Sequence, residues 1–344
     1  MKRLFISLVA LTMATMSYAQ SSLLATLSHD GTISTYYGAA ALKEAHSAAR
    51  HGDVITLSSG SFQAVNITKA VTIRGAGMEM NAKLQMEPTV ISGDFSIQIP
   101  TTVTKRLTIE GIYSNHTIMY SGTLKNATFL KSRFNKIEYN FSGGELPNAT
   151  FIHCKISGRL QLGDNSSASC INCVIVKPEC WSNTTSNYEC VNCVLYSNVA
   201  GDRNITWSGF YSSSLKNCIL ITHDEYPIPS NTVVYNCLCL SVSGYAGPFF
   251  KNIPNNTNWV RNIGNENQFF ESGNCDYNDS EAYELSEERQ NTYVGTDGTQ
   301  IGIHGGNMPF SSTPTNPQIT KCNVAAKSTA DGKLSVDIEV NGVE

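Results

Sequence analysis

Between about residues 70 and 240 the apolar positions follow neither a helical period nor a long alternation; they fall in short clusters about twenty residues apart. Cys170-Ile171-Asn172-Cys173-Val174-Ile175, Cys190-Val191-Asn192-Cys193-Val194-Leu195, Leu215-Lys216-Asn217-Cys218-Ile219-Leu220 and Val234-Tyr235-Asn236-Cys237-Leu238-Cys239 are versions of one unit. Phe129-Leu130-Lys131-Ser132-Arg133-Phe134 and Phe151-Ile152-His153-Cys154-Lys155-Ile156 share its spacing, and Gly111, Gly93 and Gly75 extend the phase upstream. With the second Cys as anchor, the anchor, the residue two after it and the residue three before it are nearly always apolar or Cys. The residue just before it is polar throughout. Two short strands joined by a tight bend at that polar residue would turn the three apolar positions inward. A unit of this length is one coil of a solenoid, too small to bury a core alone.

Asn suits the bend because it tolerates the left-handed conformation, and Asn side chains stacked on successive coils predict an amide ladder. The cysteines become inner ladders, Cys154, Cys173, Cys193, Cys218 and Cys237 at one level and Cys170 and Cys190 at another. In-register side chains one coil apart hold their Cβ atoms about 4.8 Å from each other, wider than the ~3.8 Å a disulfide prefers, so free buried thiols acting as small hydrophobes are expected. The Cys170/Cys173 and Cys190/Cys193 spacings also match zinc ligation, but the repeat already accounts for both pairs.

Both ends of such a stack need covering. Residues 39–51 predict an amphipathic capping helix with Leu42, Ala45 and Ala49 on one face, closed by Gly52; residues 311–344 predict a β-hairpin tail around Asp331-Gly332. In the later coils the anchor strand is apolar on both sides. Val174/Val176, Val194/Tyr196, Ile219/Ile221 and Leu238/Leu240 should point outward and need cover, either from the irregular segment 241–296 with Phe249, Phe250, Trp259, Phe269 and Phe270, or from an oligomer contact.

Lys2 and Arg3, an apolar run from Leu4 to about Met16 and Ser17-Tyr18-Ala19 form the pattern of a secretory signal peptide over residues 1–19, with cleavage after Ala19. Gln20 follows, not Cys, so a lipoprotein anchor is not indicated, and no later run approaches the ~20 apolar residues of a membrane span. The solenoid then spans residues 20–310. Charged residues make up 15% of the chain, below the ~25% usual for globular proteins, which fits a β-rich repeat. A net charge of -4 offers no basic field for nucleic acid or an anionic membrane. The odd count of 11 cysteines does not suggest a disulfide framework.

The run Gly52-Asp53-Val54-Ile55-Thr56-Leu57-Ser58-Ser59-Gly60-Ser61-Phe62, followed by Ile67 to Gly77, resembles the first coils of pectin-lyase-like proteins. Tyr283 to Gly306, with Gly295-Thr296-Asp297-Gly298, is similar to that family's closing coil, and the ending from Pro309 resembles C-terminal tails of exported Bacteroidetes proteins. The resemblance implies an all-β fold, a right-handed parallel β-helix, and an exported location: periplasmic, cell-surface or extracellular. It leaves two functions open, because the fold carries both enzymes and adhesins. One is binding of a polysaccharide or cell-surface glycan without catalysis and without a cofactor. The other is a polysaccharide lyase or hydrolase acting on acidic glycans, with Ca²⁺ only in the lyase case; against it, the repeat region has no Asp-Asp pair, Gly-His-Gly or Arg-x-Lys run.

Loops at equivalent places of successive coils bring together Asp202 and Arg203 with His223, Asp224 and Glu225, as catalytic candidates or as solvated turns. The same loops carry Trp181, Trp207, Tyr211 and Tyr226. Aromatic faces beside charged hydrogen-bonding groups suit a sugar ring, though packing of the loops onto the solenoid would also account for them. His304 reads as part of a closing turn. No metal site is expected.

Overall fold

The structure is a computed structural model that describes residues 23–82, 86–180, 185–197, 210–222, 228–229, 231–241, 249–250, 257–263, 268–271, 275–315, 317–324, 327–329 and 331–341. The two apolar runs of each repeat are the two strands of one coil, and like strands of successive coils pair in parallel into two long sheets, a right-handed parallel β-helix. In the first sheet Ile55, Ile73, Ile109, Phe129, Phe151, Cys170, Cys190, Leu215 and Val234 stand in one register. All are buried. Phe129 and Phe151 stack with centroids 4.7 Å apart and planes 5° apart, the face-to-face overlap that parallel register imposes on like residues.

The phase read upstream of residue 129 is corrected at the glycines. Gly111 has φ +65 and occupies the bend, in line with Lys131, His153 and the four Asn residues, one place before the anchor. Gly75 lies against it, and a Cβ there would meet the Gly111 carbonyl oxygen at 2.3 Å, so glycine is required. Gly93 is not an anchor at all. The step from Ile73 to Ile109 is a single long coil, about two periods of sequence, containing an excursion over residues 76–88 and the strands Thr89–Ser92 and Phe95–Ile97.

At the bend, Lys131, His153, Asn172, Asn192, Asn217 and Asn236 all have positive φ, between 46 and 55. The left-handed turn diverts the next amide from the sheet ladder and would leave the anchor N–H orphaned. The anchor side chain of the following coil accepts it: Cys154 N donates to Cys173 Sγ (3.3 Å), Cys218 N to Cys237 Sγ (3.3 Å), and Ile112 N to Ser132 Oγ (3.2 Å). The thiol in turn donates to carbonyls, as Cys173 Sγ does to Phe151 O and Ile171 O. The cysteines are buried and free as expected, but they are hydrogen-bonding fillers and not merely small hydrophobes. This is why Ser132 can replace Cys in the column, and why Asn258 ends it by accepting from Cys237 N at 2.8 Å.

The N-terminal end is closed by helix α1 (Ala41–Ala48), with Ala41, Leu42 and Ala45 buried, and by an antiparallel hairpin, Leu24–His29 with Thr32–Tyr37, that sequence periodicity did not indicate. The hairpin's first strand pairs antiparallel with Val54–Leu57, so the sheet begins on a reversed strand. Gln318–Val324 and Val336–Asn341 form the antiparallel hairpin expected of the tail, but it follows Pro314 and Thr315, which lie against Gly111 and Glu110 of an early coil, and so does not follow on from the last coil.

The outward apolar residues of the later coils are covered. Val174, Val176, Val194, Tyr196, Ile219, Ile221, Leu238 and Leu240 form a second core with Ile263, Phe269, Phe270, Tyr283, Leu285, Tyr293, Ile301 and Ile303. One part of the expected cover does something else: Phe249 and Phe250 join the inner core, whereas Trp259, on a further parallel strand Trp259–Asn262 beside Leu238–Ser241, packs against the outer one as expected. Residues 283–306 do not make a closing coil; they contain a short helix α2 (Glu287–Thr292) and one isolated bridge, and lie over the outer face.

From there the chain runs back along the bends as a strap. Asn236 Nδ2 donates to Val294 O (2.9 Å), Asn217 Oδ1 accepts from Thr296 N (2.9 Å), and Asn172 Nδ2 donates to both Ile303 O (2.7 Å) and Gly305 O (2.8 Å). Further on His153 Nε2 lies 3.0 Å from Met308 O, and buried Glu110 accepts from Thr315 N at 2.7 Å. The Asn residues thus do not form the expected amide ladder. The side chains of Asn172, Asn217 and Asn236 point out of the coil and bind the strap, and Asn192 lies against the strap at Gly306, where a Cβ would meet its Nδ2 at 2.3 Å.

Candidate functional site

The residue that follows the anchor points outward, and in register along the second sheet these positions read Tyr113, Arg133, Lys155, Val174, Val194, Ile219 and Leu238. The apolar part of this row lies under the cover just described. The polar part floors a cavity of about 650 Å³. Its walls come from three separate stretches: the excursion of the long coil (Met78, Glu79, Met80, Glu87, Pro88), the cover (Asp279 to Ala282), and the strap (Ile303, His304, Phe310).

The floor and walls are tied by charge. Lys155, 5% exposed, donates from Nζ to Glu79 Oε1 (2.7 Å) and to the Asp279 carbonyl (3.1 Å), and its ammonium lies 5.5 Å from the Phe310 ring centroid. One lysine therefore touches all three walls. Arg133 pairs with the Asp279 carboxylate and lies over the Tyr113 ring at 4.6 Å. Tyr277 donates its hydroxyl to Asp279 Oδ1 (2.8 Å); burial pushes that phenol above its ordinary range, so it remains a donor. His304 places Nε2 2.6 Å from Ala282 O, joining strap to cover at the rim. It is a turn residue as expected, and also part of the wall. Each pair joins a largely buried cation to a wall carboxylate that solvent still reaches, and together these contacts set the shape of the cavity.

Asp202, Arg203, His223, Asp224, Glu225, Trp181, Trp207 and Tyr226 lie outside the described residues. Tyr211 is described and exposed, and its neighbour Phe210 is buried in the inner core, packing edge-on to Tyr188 at 5.7 Å. Packing therefore accounts for Phe210. Among the described residues no group of three or more His, Cys, Asp or Glu is arranged to hold a metal ion, and Cys170/Cys173 and Cys190/Cys193 sit on the inner wall. The cavity escaped sequence reasoning although a signal was present: one repeat position, the residue after the anchor, changes from Arg133 and Lys155 to Val174 and Val194 with no change in phase. A charged side chain on a row that is otherwise covered marks where the cover opens.

No family model matches the chain, and no curated protein and no solved structure matches it.

Proposed function

We propose that this is an exported β-helix protein of the pectin-lyase-like type, akin to those of Bacteroidetes, that binds a glycan through the cavity over Tyr113, Arg133 and Lys155 without acting on it. The signal-peptide pattern of residues 1–19 supports export, and the first-coil resemblance around Gly52 to Gly77 supports the family type. The observation that carries the binding reading is the cavity itself. Its volume lies within the ~300–1,000 Å³ of ligand pockets, and it combines aromatic and thioether surface with fixed donors and acceptors. A sugar ring needs that combination, because its C–H face prefers apolar contact while its hydroxyls need polar partners.

Catalysis on acidic polysaccharide fits less well. A lyase of that kind needs a free cationic base and carboxylate-neutralising cations, whereas Lys155 and Arg133 are each committed to a wall carboxylate. The test is retention on a glycan array by the wild-type chain and by Phe310→Ala and Met80→Ala, the latter at an exposed thioether of the cavity lining, with melting temperature as the control for folding. Loss of retention in both variants at unchanged melting temperature supports the reading; unchanged retention in both removes the cavity as the site. Release of unsaturated uronate ends from any polysaccharide, followed by ultraviolet absorbance with and without Ca²⁺, would instead establish the enzyme alternative.

A further inference from the structure

The first sheet ends on Thr32–Tyr37, the outer strand of the N-terminal hairpin, and among the described residues no strand pairs with its far edge. Sheet edges in natural proteins are usually blunted by charge, proline or a bulge. This one has none of the three. Thr32-Ile33-Ser34-Thr35-Tyr36-Tyr37 carries no charge and no proline, and its register with Leu24–His29 runs unbroken.

The setting of the strand fixes what that edge offers. Gly38 N donates to Leu23 O, so by the alternation of an antiparallel ladder Ile33, Thr35 and Tyr37 turn their backbone N–H and C=O away from the hairpin. Ala25 is buried, and Tyr36 opposite it packs against the same inner core, so the side chains of Ile33, Thr35 and Tyr37 share the outer face. Ile33 is 68% exposed and Tyr37 64%. Outward backbone dipoles and bare apolar side chains therefore coincide on one short strand.

We infer that this edge pairs with the same edge of a second copy, antiparallel about a two-fold axis at Thr35, so that two solenoids join cap to cap through one continuous sheet. The sequence is self-complementary in that register. Thr35 meets its own copy, Ile33 of one chain faces Tyr37 of the other as an aromatic and β-branched pair, and no like charges come together. Moving the axis to Ser34 or Tyr36 breaks the match of Ile33 with Tyr37. Such a pairing uses the same edge on both copies and closes at two. The tail hairpin supplies the contrast. Val336, Ile338 and Val340 are also exposed, but a two-fold pairing centred at Asp337, Ile338 or Glu339 sets carboxylate against carboxylate, so apolar exposure alone does not make an edge that accepts its own copy.

The experiment is sedimentation velocity of the full chain over a concentration series, beside Thr35→Pro, Thr35→Lys and Thr35→Glu. Thr35 is exposed and its N–H faces outward, so all three should leave the hairpin's own ladder and the melting temperature unchanged. The wild type is expected to show a monomer–dimer equilibrium, with amide exchange at Ile33, Thr35 and Tyr37 slowing as concentration rises. Thr35→Pro removes both hydrogen bonds at the axis and is expected to weaken dimerisation about tenfold or more. Thr35→Lys and Thr35→Glu each set like charges on the axis and should weaken it about fivefold when alone, whereas an equal mixture of the two should regain the dimer. A wild type that stays monomeric at every concentration, because residues before Leu23 or another partner cover the edge, overturns the inference. So does a dimer indifferent to all three variants, a mixture no tighter than either charged variant alone, or an open-ended polymer.

Discussion

Asn172 offers the sharpest test of the strap. Its amide is buried at 1% exposure and donates to two strap carbonyls, Ile303 O and Gly305 O, from a backbone with φ +48. Asn172→Ala removes both donors and also places a Cβ-bearing residue without Asn's local tolerance in the left-handed region. Gly305 O left unsatisfied costs ~1–3 kcal/mol, Ile303 O keeps its bond from Phe310 N and loses a second one worth ~0.5–1.5 kcal/mol, and the conformation adds ~1–2 kcal/mol, so a loss of about 3–6 kcal/mol is expected. Asn172→Gly separates the terms. Glycine accepts positive φ freely, so only the carbonyl cost of about 2–4 kcal/mol should remain, less whatever a water entering the vacated space restores. Asn172→Asp keeps an equally small side chain but sets a carboxylate against two carbonyl oxygens, and should be worse than Gly at neutral pH and improve on acidification. Urea unfolding gives the free energies, and hydrogen exchange of amides in residues 294–306 shows whether the strap itself is released. A Gly variant within about 0.5 kcal/mol of wild type, with unchanged exchange in that stretch, would refute the claim that the bend side chains hold the strap.

Other expectations concern the column of thiols, the cap and the loops. Cys173→Ser should cost under about 1 kcal/mol, because Ser132 already fills the same position, whereas Cys173→Val should cost about 1–3 kcal/mol by orphaning the Cys154 N–H; thermal unfolding compares them. Burial pushes the Cys154 and Cys173 thiols well above the usual range, so alkylation followed by mass spectrometry should find them unreactive in the folded chain and free after denaturation; stoichiometric disulfides there would contradict the column. His46, in the capping helix, is pulled down to about 4 by burial and then by Lys69, so the unfolded chain binds its proton first: the cap should be fully stable above about pH 6.5 and lose stability as the pH falls towards 4. Replacing His46 by Gln should flatten that part of the stability profile. Trp181→Ala together with Trp207→Ala should leave glycan retention intact when the cavity is the site; loss of retention without loss of melting temperature would move the site to those loops.

What was legible in the sequence was whatever repeats. The inward ladder from Phe129 to Val234, the bend Asn residues and the buried thiols follow from one spacing, because parallel register forces like residues into like environments. The phase failed where the spacing did: Gly75 and Gly111 share the place one before the anchor while Gly93 lies off that row, and the long coil between Ile73 and Ile109 can be seen only from the pairing. Contacts between stretches far apart in the chain were not legible. Lys155 with Glu79, Arg133 with Asp279, and Asn172 with Ile303 depend on where an irregular segment lands, and nothing local to either partner encodes that. The Asn row was read as bonding to itself because stacked amides are the local solution; the strap supplies carbonyl partners that outcompete it.

The strap also changes the order in which the molecule can be completed. A stack in which each coil touches only its neighbours can be built or frayed one coil at a time from either end. Here residues 294–315 tie the coil of Asn236 to the coil of Glu110 and help roof the outer apolar row between them. Before this late stretch of the chain is in place, Val174, Val194, Ile219 and Leu238 have no cover from it, so the coils alone do not complete the molecule. Once the strap is down, no single coil beneath it can leave alone, so unfolding should take that whole span at once and protection from exchange should be level across it instead of fading towards its ends.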